Sequence, residues 1–162
     1  MRFRTDVGDE ASVAALRAAA EAAFGAVDAV INNATIFPMG AVVDRQVGDW
    51  DRSYRVNLRG PVLLAIAFLP GMLKRGRGIF VCVSSSGAAP FMGAYEVFKT
   101  AQGELATTIA GEVEALKKLE AYWIHQQELL RGYGKNTEKL SENMKLMDGW
   151  VADIRELLRL LS

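Results

Sequence analysis

The hydrophobic positions in the first 113 residues alternate between helical stretches and short runs that are almost wholly apolar. Asp9 precedes an alanine-rich stretch that Gly25 interrupts, which predicts a capped helix over Glu10–Phe24. The runs Ala29–Asn32 and 79–83 are typical of parallel strands buried on both faces. This alternation predicts an α/β fold.

A long helix is predicted between the two strands, over residues 49–74. It contains Pro61 and Pro70. A proline inside a helix removes a backbone donor, so we expect a kink or an early end there. Residues 2–6 are predicted to form a short extended piece, and residues 36–46 a loop.

The composition changes near residue 113. The helix that begins at Ala94 continues past this point, and residues 114–162 contain ten leucines and no proline. Apolar residues at 140–161 alternate in steps of four and three, which is a heptad seam, and glycines near residue 132 break the helix before it. We therefore predict a first unit over 1–113, followed by an αα-hairpin over 114–162. Either the two helices cover each other's apolar seams, or the seams recruit another chain.

Charge and cysteine content restrict the function. The chain has 19 Lys and Arg, 19 Asp and Glu, and one cysteine. A net charge near zero argues against nucleic acid as a partner. A single cysteine forms no internal disulfide and no cysteine-based metal cluster, so we predict no metal site. The apolar run 61–70 is too short to cross a bilayer, and the amino terminus lacks a signal-peptide pattern. We expect a cytoplasmic protein without a membrane partner.

Three polar clusters follow the predicted strands in a fixed order. Asn32-Asn33-Ala34-Thr35 follows the first strand, Ser84-Ser85-Ser86-Gly87 follows the second, and Tyr95-Glu96-Val97-Phe98-Lys99 opens the next helix. The tyrosine and lysine of the last cluster lie four residues apart, so they share one helix face. An ammonium there favours the phenolate, and a serine hydroxyl at a strand end can donate to a carbonyl oxygen. These groups suit hydride transfer to or from a carbonyl carbon when a nicotinamide is present.

This ordered set resembles the short-chain dehydrogenase/reductase family over most of the first 113 residues. The resemblance implies a partial Rossmann-like, doubly wound core with few parallel strands. It also implies NAD- or NADP-dependent hydride transfer between a small-molecule alcohol and a carbonyl. The residues it assigns to catalysis are Asn57, Ser85, Tyr95 and Lys99. Those it assigns to the cofactor are Asp6, Val7, Asn33, Ala34, Tyr95 and Lys99.

The chain departs from the family pattern at several points. No Gly-x-x-x-Gly-x-Gly turn occurs in the sequence, and such a turn binds the cofactor pyrophosphate. Thr35 stands where the family has glycine. Ser85 precedes Tyr95 by ten residues, a short interval, so Ser84 or Ser86 are alternatives for the catalytic serine. We expect the two apolar strands to be neighbours with open outer edges.

Two functions remain open. The first is a short-chain dehydrogenase, and the second is a non-catalytic fragment that acts as a helical interaction module. The family resemblance also implies a homodimer in which helices 49–74 and 95–113 pack against their copies. The first of these helices carries apolar residues that a two-stranded sheet would not cover from one side, namely Val56, Leu63, Leu64, Ala67 and Phe68.

Overall fold

The computed structural model describes residues 1–84 and 90–132, the last fifteen of these by their backbone only. Internal contacts divide the chain into two units, Met1–Ile109 and Ala110–Ser162. The predicted seam over 140–161 lies outside the described residues, and a boundary at residue 113 stays a prediction.

Helices and strands alternate as the sequence predicts. The elements are α1 (Glu10–Phe24), β1 (Ala29–Asn32), a 3-10 turn (Val42–Asp44), α2 (Val47–Tyr54), a π-helical turn (Arg55–Arg59), α3 (Gly60–Lys74), β2 (Ile79–Cys82) and α4 (Gly93–Gly132). The predicted bounds of α1 and β1 are confirmed, and β2 is one residue shorter than predicted. The extended piece at 2–6 forms no strand, and the loop over 36–46 contains the 3-10 turn.

Both ends of α1 follow from local chemistry. The Asp9 carboxylate accepts a hydrogen bond from the Ser12 backbone N–H at 2.7 Å, which satisfies one of the free donors of the first turn. Gly25 ends the helix with a φ of +76°, a conformation that side chains with a Cβ adopt at a cost.

The long helix does not end at either proline. Between α2 and α3 the backbone widens into the π-helical turn, where the Gly60 N–H donates to the Arg55 carbonyl, five residues back. Pro61 follows in the first turn of α3, and Pro70 lies within α3. The expected distortion therefore takes the form of a π-turn, and the alternative of an early helix end is wrong.

The two strands pair in parallel, with Ala29 opposite Ile79 and Asn32 opposite Cys82. This confirms that the two apolar runs are neighbours. Within the described residues, one face of this sheet is buried, the face where α1 and α3 pack. The hydrophobic core on that face consists of Val13, Val30, Leu63, Leu64, Phe68 and Met72. On the other face Ile31 is 67% exposed and Ile79 is 63% exposed.

The prediction that both strand faces are buried is therefore wrong. Side chains alternate between the faces of a strand, and the described helices cover one face only. Among the described residues, β1 pairs only with β2. Its outer edge borders an apolar groove whose lining includes Leu16, Leu64 and Phe68.

The continuous helix Val47–Lys74 is long and apolar enough to cross a bilayer by length and composition. The core helices of soluble proteins pass the same test, so this is weak evidence. Its residues Leu63, Leu64, Phe68 and Met72 belong to the hydrophobic core described above.

We predict that Leu64→Ala lowers the free energy of unfolding by about 2–5 kcal/mol, because it leaves a cavity between α1, α3 and β1. Ile66→Ala is the matched control, since Ile66 lies two residues away on the same helix but is 64% exposed, against 5% for Leu64. The control should change stability by less than about 0.5 kcal/mol. Urea unfolding followed by circular dichroism measures both, and equal losses would contradict this packing.

Candidate active site

The Asn57 carboxamide joins the π-turn to the loop after β1. Asn57 is fully buried. Its Oδ1 accepts from the Ile36 N–H at 3.0 Å and from the Thr35 hydroxyl at 2.9 Å. Its Nδ2 donates to the Ile36 carbonyl and to the Ser53 hydroxyl, both at 2.9 Å. All four hydrogen bonds of this side chain therefore hold protein segments together.

The same network reaches α4. The Ser53 hydroxyl, fully buried on α2, accepts from Asn57 and donates to the Ala94 carbonyl at 3.0 Å. Ala94 lies in the first turn of α4, directly before Tyr95. Ser53 was missed in the sequence, although its position four residues before Asn57 places both on one helix face.

Thr35 is accommodated where the family has glycine. Its hydroxyl is one of the two donors to Asn57 Oδ1, so the added side chain is bound to the network. Thr35 itself is exposed. The departure noted in the sequence thus adds a tether to the loop after β1.

Tyr95 and Lys99 lie on the same face of α4, as their spacing predicts. The Lys99 Nζ lies 5.9 Å from the centre of the Tyr95 ring. The Tyr95 ring also contacts Phe37, whose ring meets it edge-to-face with 4.5 Å between the ring centroids. Phe37 belongs to the loop that Asn57 holds, so the network also sets the surroundings of the phenol.

Lys99 is almost completely buried, with 3% of its surface exposed. Its Nζ donates to the Val83 carbonyl at 2.8 Å and to Gln102 Oε1 at 3.0 Å. Burial lowers the pKa of Lys99 because it disfavours the charged form, and attraction to Cys82 offsets part of this. Gln102, like Ser53, is a site residue that the sequence pattern does not predict.

Of the three serines at 84–86, the structure describes only Ser84. The Ser84 hydroxyl donates to the main-chain carbonyl of Lys99 at 3.1 Å, which ties the end of β2 to α4. The hydroxyl proton of Ser84 is therefore already used in this hydrogen bond. Ser85 and its alternative Ser86 lie outside the described residues, so the assignment of the catalytic serine stays a prediction.

Asp6 has structural partners at the π-turn. Its carboxylate accepts from the Gly8 N–H at 2.9 Å and from the Arg55 guanidinium at 2.6 Å. Val7 packs against Gly60 so closely that a Cβ at Gly60 would lie 3.0 Å from the valine side chain. Asp6 thus forms a turn and an ion pair, and half of its side chain remains exposed.

Three of the residues assigned to the cofactor line one groove. Val7, Asn33 and Ala34 all border the groove beside β1. Asn33 and Ala34 follow the carboxyl end of β1, and Lys99 contacts the residue that follows β2. In open α/β sheets, nucleotides bind at this edge.

The residues present fit one half of a nicotinamide dinucleotide. The polar groups beside Tyr95 and Lys99 suit the nicotinamide and its ribose, and one N–H of the Lys99 ammonium is not used by the two acceptors above. The chain supplies no glycine-rich turn for the pyrophosphate.

Comparisons with known proteins agree with this geometry. A family model described as short chain dehydrogenase matches residues 1–121. A protein of Xanthobacter autotrophicus named inactive 2-(S)-hydroxypropyl-CoM dehydrogenase 2 is 40% identical over 110 residues, which are 66% of this chain and 48% of that protein.

Two solved structures are also similar. A gluconate 5-dehydrogenase from Burkholderia cenocepacia in complex with NADP and tartrate is 31% identical, with a TM-score of 0.63 over 66% of this chain and 43% of that one. A metagenomic short-chain oxidoreductase in complex with NADP is 30% identical, with a TM-score of 0.65 over 68% and 52%. The chain spans about half the length of these relatives.

We predict that Asn57→Ala lowers the free energy of unfolding by roughly 2–4 kcal/mol, because it leaves buried partners of the carboxamide unpaired. Asn33→Ala removes the same group at an exposed position and serves as the control. Chemical denaturation of both variants measures the difference. A loss at Asn57 no larger than that at Asn33 would show that the network does not stabilise the fold.

The family model covers both of the described strands and the positions from Asp6 to Lys99. The structure keeps the parallel pair and brings the tyrosine and lysine to its carboxyl end. Sequence match, strand order and site geometry therefore agree, and the chain belongs to the short-chain dehydrogenase family.

Proposed function

We propose that the chain acts in an NAD(P)-dependent oxidoreductase that transfers hydride between a small-molecule alcohol and a carbonyl compound. The observation that carries the proposal is the placement of Tyr95 and buried Lys99 on one face of α4, with the lysine bound to the end of β2. Family membership and two neighbours solved with NADP support the cofactor class.

The bound nicotinamide supplies the hydride. The side chains proposed to hold the dinucleotide are Lys99 and Tyr95 on the nicotinamide side, and Asn33, Ala34 and Val7 along the groove beside β1. Asp6 is also assigned by the resemblance, and its remaining exposed surface would have to bind while the carboxylate keeps its pairing with Arg55.

Tyr95 Oη donates the proton to the carbonyl oxygen during reduction and removes it from the alcohol during oxidation. The Lys99 Nζ lies beside the Tyr95 ring, 5.9 Å from its centre, and its positive charge stabilises the negative charge that develops on Oη as the proton leaves. Ser85, assigned by the family pattern, would orient the substrate carbonyl by a hydrogen bond.

Asn57 supports this chemistry from a distance. The family pattern assigns it to the relay behind the lysine, and its side-chain bonds here go to Thr35, Ile36 and Ser53. We propose that it acts by fixing the loop and the start of α4, between which Tyr95 lies.

We also propose a homodimer, with a contact surface different from the one expected from the sequence. The apolar α3 residues expected at the dimer contact, Leu63, Leu64 and Phe68, are instead buried in the core of the chain itself. Ala110 and Gly111 on α4 are exposed and remain available. The mass in sedimentation equilibrium tests this oligomeric state.

A cytoplasmic location also remains a proposal, consistent with the free thiol of Cys82.

The alternative function is a non-catalytic interaction module. The observation that favours it is the apolar sheet face, where Ile31 and Ile79 are largely exposed next to Val81.

We predict that the 162-residue chain by itself binds NADPH weakly. A pyrophosphate cradle provides several charge-assisted hydrogen bonds of about 1.5–3 kcal/mol each, and two missing bonds imply roughly a thousandfold loss of affinity. Fluorescence titration measures the binding. A micromolar dissociation constant would show that another element, such as a second subunit, completes the site.

We predict that Tyr95→Phe and Lys99→Ala each abolish NADPH-dependent reduction across a panel of small aldehydes and ketones. Tyr95→Phe removes one hydroxyl and keeps the ring beside Phe37, so the fold should survive. Tyr54→Phe is the matched control, because Tyr54 is 46% exposed on α2 and has no assigned role. Turnover in Tyr95→Phe equal to that of the wild type would reject the catalytic assignment.

A further inference from the structure

Gln102 is a fully buried polar residue that the proposed chemistry does not yet use. It lies on α4 three residues after Lys99, so both side chains share a helix face. Its Oε1 accepts from Lys99 Nζ at 3.0 Å. A buried carboxamide is costly unless its polar atoms are used, so an apolar residue would suit a purely packing role better.

Apart from the Gln102 oxygen, few groups are placed to stabilise the charged form of Lys99. Its second acceptor is the Val83 main-chain carbonyl at 2.8 Å, and both acceptors are neutral. With 3% of Lys99 exposed, water does little to solvate the ammonium. The Gln102 oxygen therefore supplies one of two hydrogen bonds on which the charged form depends.

The two acceptors also restrict the direction of the third N–H. An ammonium has three donors, and fixing two of them fixes the rotation about the terminal bond. Among the described residues, the titratable groups found beside Lys99 are Cys82 on β2 and Tyr95 on its own helix. Burial raises the pKa of the Cys82 thiol, and a hydrogen bond from Gln102 and the charge of Lys99 offset part of this rise.

We propose that Gln102 is a positioning residue for Lys99, holding its ammonium charged at the carboxyl end of β2 and directing its remaining N–H past Tyr95. The catalytic consequence rests on the proposed function. The effect of Gln102 on the protonation of Lys99 does not, because it depends only on contacts within the chain.

The test measures the pKa of Lys99 directly in the full chain, without cofactor or substrate. Lysine labelled with ¹³C at Cε is titrated by NMR, and the Lys99 signal is assigned by its loss in Lys99→Arg. Gln102→Met removes the acceptor and keeps the length, so the pKa of Lys99 falls below the wild-type value. Gln102→Glu places a carboxylate at the same atom, so the pKa of Lys99 rises.

Thr100→Ala is the matched control, because Thr100 is exposed on the same turn of α4 and should leave the titration unchanged. Gln102→Asn withdraws the acceptor by one methylene and should lower the pKa as Gln102→Met does. It replaces Gln102→Met if that variant does not fold by circular dichroism, and Gln102→Asp, which keeps a carboxylate and should still raise the pKa, replaces Gln102→Glu.

Opposite shifts in the acceptor-lacking and carboxylate variants support the proposal. A Lys99 titration that does not move, or that moves in the same direction in both, overturns it even if stability falls, since loss of packing alone has no such sign. Absence of turnover in the wild type, with NADPH supplied above its measured dissociation constant, would contradict the proposed function and would leave the titration result intact.

Discussion

The buried carboxamide of Asn57 is the contact on which the rest of the site depends. One side chain satisfies the N–H and the carbonyl of Ile36, takes the hydroxyl of Thr35 and donates to Ser53. Ser53 in turn binds the carbonyl at the start of α4. Three segments that are distant in the sequence are thereby held at fixed separation. Buried networks of this kind are strong when complete, because water is not available to replace a missing partner.

Asn57 lies in the π-turn, which accommodates the constraint that Pro61 places on the helix. A regular α-helix would bring the carbonyl of Asn57 against the ring of Pro61, which has no N–H to offer it. The i to i−5 bond from Gly60 to Arg55 widens the helix at this point. The same turn binds the amino-terminal segment, since Arg55 pairs with Asp6 and Arg59 donates to the Gly8 carbonyl at 2.7 Å. Residues of this one turn therefore bind both the loop after β1 and the amino-terminal segment.

The hydrophobic core and the polar site lie in different places and have different physical bases. The core fills one face of a two-stranded sheet with side chains from α1 and α3. The site lies at the carboxyl ends of the strands, where β2 is bound to α4 through Ser84, Val83 and the side chains of Lys99 and Gln102. Hydrogen bonds join β2 to α4 there, and the two acceptors that bind Lys99 are both neutral.

The sequence by itself determined the elements and the order of the chemical groups. Local signals sufficed for α1, because a capping aspartate and a terminating glycine act within one turn of their own positions. Spacing also sufficed to place Tyr95 and Lys99 on one helix face, since a helical period is a local property. The family followed from the order of the polar clusters.

Only the tertiary structure decided how those groups are used. Whether a strand such as Ala29–Asn32 is covered on one face or two depends on which helices pack against it, and no local pattern carries that information. The same holds for Asp6, which pairs with an arginine 49 positions away, and for Gln102, whose role depends on the side chain and strand end that it meets. Thr35 departs from the family pattern in sequence. In the folded chain its hydroxyl donates one of the two hydrogen bonds that Asn57 Oδ1 accepts. Hydrogen bonds between distant segments require both partners to be placed by the whole fold, which is why these roles could not be predicted from the sequence.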